Sequence, residues 1–71
     1  MNNLKTNFGK KLRQLRRGKD FTQEKLAEKV GISVEFLSGL ERGIYGPSFD
    51  TLEKLAAVLN VDFKTLFEFE E

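Results

Sequence analysis

Leu4, Phe8, Leu12 and Leu15 recur at steps of four, four and three, the spacing of one face of an α-helix. Lys10, Lys11, Arg13, Arg17 and Lys19 fall largely off that stripe, and Gly18, Lys19 and Asp20 end it. The run from Gln23 to Gly43, QEKLAEKVGISVEFLSGLERG, divides at Gly31 into two short helical patterns. Leu26, Ala27, Val30, Ile32, Leu37 and Leu40 sit where two crossing helices would touch. The pattern predicts helices over 4–18, 23–30, 34–42, 49–59 and 63–68, with no competing strand signal. The fold class is all-α, five short helices in one bundle.

The starts of these helices are legible in their caps. Thr22, Ser33 and Ser48 are N-cap residues, followed by Glu24, Glu35 and Asp50. Each hydroxyl accepts from an orphan backbone N–H, and each acid faces the positive helix end. Hydrophobic staples support three starts: Phe21 with Leu26, Ile32 with Leu37, and Val61 with Leu66 around Asp62. Gly31 supplies the left-handed residue at which the chain turns sharply. Ala27 is small where the two helices approach. The single proline, Pro47, marks a connection.

Composition narrows the chemistry. At 71 residues the chain is expected to form a single domain over 1–71. It has no Cys and no His, which excludes a disulfide framework and a Ser-His-Asp arrangement and argues against a zinc site. No cofactor is implied. Glu24 and Glu28 lie one turn apart but have no third ligand, so they read as a solvated face. No nucleophile–base pair or phosphate-cradling glycine loop is present, so no enzyme is expected. No long apolar run suggests a membrane partner, and a cytoplasmic protein is the expectation. Net charge is only +1, but residues 1–19 hold Lys5, Lys10, Lys11, Arg13, Arg16, Arg17 and Lys19 and no acid, while Glu68 to Glu71 is acidic. That separation fits either one face that meets a polyanion or a solvated helix face.

Two helices joined at a glycine form a helix-turn-helix, whose main use is to lay one helix in a DNA groove. Thr22, Gln23, Leu26, Ala27, Gly31, Ile32, Ser33, Leu37, Leu40, Glu41, Arg42, Gly43, Pro47 and Leu52 resemble the Cro/cI-type repressor domain of the XRE family. The resemblance spans roughly residues 8–67. The stretch FLSGLERG also resembles restriction–modification controller proteins. What the resemblance implies is a five-helix, lambda-repressor-like domain, with helices 2 and 3 forming the motif, that binds a double-stranded DNA operator as a homodimer. It places Ser33, Val34, Glu35, Ser38 and Gly39 toward the major groove. It counts Thr22 and Gln23, at the start of helix 2, among the DNA-binding residues, with Gln23 meeting a phosphate or bracing helix 3. Arg42 and Tyr45 fall where the following loop meets the sugar-phosphate backbone. Arg16 and Glu41 match a structural ion pair tying helix 1 to helix 3.

The sequence departs from many relatives by lacking Arg, Gln or Asn on the reading helix, the side chains that make bidentate bonds to purines. Sparse direct readout is expected, with shape and backbone register carrying more of the specificity. Several positions have two readings. Ser33 is first a cap. Val34 could touch a thymine methyl and Ser33 or Ser38 could donate to several bases, while Glu35 either accepts from cytosine N4 or only complements the helix dipole. Ser38 and Gly39 are poor helix formers, which suits close approach to DNA or close packing against a partner. Phe36 is unusually large and apolar. An apolar surplus at Val58, Val61, Phe63, Leu66, Phe67 and Phe69 exceeds what a domain of ~70 residues buries alone, and points to a homodimer interface. The expected function is a sequence-specific transcriptional regulator. The rival is a protein-interaction module, antitoxin-like or adaptor, supported by the small net charge and by exposed-looking Phe36, Phe67 and Phe69.

Overall fold

The computed structural model describes residues 3–69. Five helices follow in order: α1 Leu4–Gly18, α2 Gln23–Val30, α3 Val34–Glu41, α4 Phe49–Leu59 and α5 Phe63–Leu66. No strand occurs among the described residues. Every N-terminus is capped by a side-chain oxygen accepting a backbone N–H three residues on. Thr22 Oγ1 accepts from Lys25 at 3.0 Å, Ser33 Oγ from Phe36 at 3.0 Å, Ser48 Oγ from Thr51 at 3.1 Å and Asp62 Oδ1 from Thr65 at 2.9 Å. Asn3 does the same for Thr6 at 3.2 Å, a cap not anticipated from the sequence. Helix ends differ slightly from the spacing pattern. The last turn of α5 tightens, with Phe67 N–H on Lys64 O and Glu68 N–H on Thr65 O, so the α-helix stops at Leu66 rather than 68.

The core is built from Phe8, Leu12, Leu26, Ala27, Val30, Leu37, Leu40, Leu55, Ala56, Leu59 and Leu66. All five helices contribute. α3 packs on both α1 and α2, α4 on α2, and α5 closes the bundle against α4 and α1. Gly9 allows a close crossing of α1 and α3: a Cβ there would collide with the backbone carbonyls of Leu40 and Glu41. α1 therefore lies directly on the end of α3. The turn between α2 and α3 is made by Gly31 at φ 84°, and the backbone N–H of Ile32 closes it on Ala27 O at 3.0 Å. Asn60 ends α4 at φ 58°, a left-handed position that Asn tolerates.

Three expectations need correction. Leu4 lies on the helical stripe but is 63% exposed, because it occupies the first turn of α1, one turn outside the core that begins at Phe8. Leu66, expected on the dimer surface, is fully buried within its own chain and has no area to give to a partner. Phe36 and Phe69 are half-buried against the core rather than free. Phe67 is exposed, yet its ring lies 5.5 Å from that of Phe8 and 6.2 Å from that of Phe69.

Candidate nucleic-acid interface

α3 is held at its C-terminal end by one carboxylate. Arg16 of α1 donates from Nε to Glu41 Oε2 at 2.6 Å and from Nη2 to Glu41 Oε1 at 3.1 Å, the two-pronged geometry that suits guanidinium and carboxylate. The third nitrogen of Arg16 donates to Phe21 O at 2.8 Å, which fixes the loop before α2. Gln23 Nε2 donates to Glu41 Oε1 at 3.0 Å, so the first residue of α2 also grips the end of α3. Arg13 stands 3.6 Å from the same oxygen with its side chain half open to solvent. Arg16 and Glu41 are both buried. No buried side-chain polar atom lacks a partner among the described residues. The group is therefore a satisfied buried network, which specifies one position for α3 relative to α1 and α2.

With the inner side fixed, the outward side of α3 is defined. Glu35 is exposed and Ser38 half-buried on it. Ser33 is exposed at the start of the helix, its hydroxyl oxygen occupied by the cap bond from Phe36. Val34 leans into the bundle and packs against the core, so it offers only part of its side chain outward. Thr22 is exposed, and its hydroxyl oxygen caps α2. Gln23 is half-buried and donates one amide N–H to Glu41. Arg42 and Tyr45 are exposed just beyond α3. Gly39 departs from the expected open position: it is buried beneath the Tyr45 ring, which occupies the space a Cβ would need. The rings of Tyr45 and Phe36 stack at 5.7 Å with planes 29° apart. Arg13 beside Glu41 was not found from the sequence, nor was Tyr45 over Gly39. For the latter the only signal was a glycine in mid-helix six residues before an aromatic.

A second surface lies on α4 and α5. Phe49, Leu52, Glu53, Phe63 and Phe67 line a shallow, mainly apolar groove of about 380 Å³. Phe49 is 85% exposed, Phe63 52% and Phe67 40%. Val58, Val61 and Phe69, also expected here, are half-buried. Phe49 was missed because it continues the stripe of Leu52, Leu55 and Leu59 one turn past the end of the core, as Leu4 does in α1.

A pair of short helices crossing at a glycine, with the second locked by a buried ion pair and its far side open, defines a helix-turn-helix protein. The chain belongs to the helix-turn-helix family of XRE type, whose model matches residues 12–66. It is 39% identical over 69 residues to the control protein C.BamHI of Bacillus amyloliquefaciens, covering 96% of this chain and 85% of that protein. It resembles the crystal structure of the restriction–modification controller protein C.AhdI from Aeromonas hydrophila, with TM-score 0.84, 37% identity, and 87% and 94% of the two chains covered. It also resembles the structure of SinR, the master regulator for biofilm formation, in complex with DNA, with TM-score 0.81, 39% identity, and 86% and 98% of the two chains covered. Against the transcriptional regulator SinR of Bacillus subtilis the identity is 39% over 62 residues, and the match spans 56% of that protein's length.

Proposed function

We propose that the chain is a sequence-specific, double-stranded DNA-binding transcriptional regulator that acts in the cytoplasm as a homodimer on an operator. The observation that carries this reading is the locked α3. The Arg16–Glu41–Gln23 network holds the helix on its inner side, Glu35 and Ser38 stand away from it, and Ser33 is exposed at the helix start. A groove-reading helix needs both properties, because base contacts discriminate only when the helix arrives in a fixed orientation. Arg42 and the basic residues of α1 provide phosphate partners, which set register and make binding salt-dependent. The bond from Gln23 to Glu41 supports a bracing role for Gln23 on α3. The lining of the α4–α5 groove favours a second copy of the chain: a two-fold contact would cover Phe49, Phe63 and Phe67 and set two reading helices about one DNA turn, roughly 34 Å, apart. Nothing in this role requires a catalytic group or a metal.

Selection of duplexes from a random library by the intact chain tests the reading. The expected product is an inverted repeat whose half-sites are about one turn apart. Binding to it should weaken steeply as salt is raised. Failure to enrich any sequence, at low salt as well as at moderate salt, would refute the proposal.

A further inference from the structure

One part of the outward surface of α3 does not come from α3. Successive residues of an α-helix turn by about 100°. Leu37, Leu40 and Glu41 face inward, so Glu35 and Gly39, four residues apart, fall on the opposite side. Glu35 is exposed there, but Gly39 is buried, although it has no side chain and the same heading. The Tyr45 ring is what covers it, with Cδ2 and Cε2 lying where a Gly39 Cβ would be. The loop carrying Tyr45 is tied to the same glycine: the backbone N–H of Ile44 donates to Gly39 O at 2.9 Å and that of Tyr45 at 3.4 Å. Phe36 stacks on the ring. Tyr45 nevertheless keeps 48% of its surface open. It is fixed on the outward side of α3 and still accessible.

We infer that Tyr45 is a base-reading residue whose ring, seated on Gly39, offers an apolar surface to the 5-methyl group of thymine in the major groove. This rests on the DNA-binding reading above. Val34 turns only part of its side chain outward, and Ser33, Glu35 and Ser38 provide polar or charged edges, whereas thymine is distinguished in the major groove by a methyl group that takes apolar contacts. The ring is held before binding by Gly39 and Phe36, so little side-chain freedom is lost on contact. A phosphate role would use the hydroxyl alone and carry no sequence information.

The test uses duplexes selected by the intact chain. Each thymine of the selected site is replaced singly by uracil, which removes the methyl group and keeps the hydrogen-bonding edge. One thymine in each half-site should then bind about fourfold more weakly as uracil, the scale of burying one methyl-sized group. Tyr45→Ala should abolish this discrimination, and Tyr45→Phe should retain it. Equal affinity for thymine and uracil at every position in the unaltered protein would overturn the inference and leave the DNA reading standing. Discrimination that persists in Tyr45→Ala, or that is lost in Tyr45→Phe, would also overturn it. If the library yields no enriched sequence, the DNA reading fails, and this inference fails with it.

Discussion

Glu41 is the residue on which the geometry of α3 depends. Its carboxylate takes three hydrogen bonds, two from Arg16 and one from Gln23, while buried. Removing either charge strands the other in the interior, at a cost of roughly 3–5 kcal/mol. Glu41→Ala and Arg16→Ala should each lower the midpoint of denaturant unfolding sharply, and the double variant should lose clearly less than the sum of the two. Additive losses would show that the pair is not coupled in solution. Gly39 gives a prediction that depends on its neighbour. Gly39→Ala alone must displace the Tyr45 ring, and the gain in helix propensity, up to ~1 kcal/mol, is then outweighed. In a Tyr45→Ala background the same substitution should stabilise, so the two effects together change the sign measured by denaturation. Asp62 brings a pH dependence. A hydrogen bond from the Thr65 hydroxyl, then one from the Thr65 backbone N–H, holds its carboxyl below the ordinary aspartate value. A depressed folded-state pKa means the contribution is complete above the unfolded value and is lost as pH falls through the folded one. Asp62→Asn keeps a cap that does not titrate, so its stability should fall less than that of the unaltered chain below about pH 4.

At the scale of elements, much of the fold was legible because helix starts are local. A cap, its bonded N–H and its staple lie within six residues, and Thr22, Ser33, Ser48 and Asp62 all cap as the spacing implied. Where the core ends is not local. Leu4 and Phe49 continue apolar stripes past it, and Leu66 sits inside it although its neighbours Phe63 and Phe67 do not. No periodicity distinguishes these cases, since each depends on which helix lies opposite. The same holds for the candidate site. Residue types at α3 marked its outer side, but Tyr45 over Gly39 and Arg13 beside Glu41 arise from how a loop and a neighbouring helix return to α3. The α1–α3 crossing is the element-level feature most sensitive to one atom. Gly9→Ala would force α1 away from the Leu40 and Glu41 carbonyls, with an expected loss of about 1–3 kcal/mol as for other overpacked sites. Because α3 moves with it, DNA affinity should fall too. A melting temperature unchanged by Gly9→Ala would show that the crossing is looser than described.

For the molecule as a whole, the α4–α5 groove sets the expected assembly. Phe49→Glu or Phe63→Glu would place a charge in the proposed contact between copies. Sedimentation of either variant should then give a smaller species than the unaltered chain at equal concentration, with helix content retained because both residues lie outside the core. A sedimentation coefficient unaffected by either change would place any self-association elsewhere. The one-sided anchoring of α3 has a consequence for how readily the protein could be retargeted. Glu41, Leu37 and Leu40 attach the helix to the bundle, while Glu35 and Ser38 stand on a different side of the cylinder. Specificity could therefore drift, by selection or by engineering, while foldability stays nearly constant, much as type is reset in an unchanged frame.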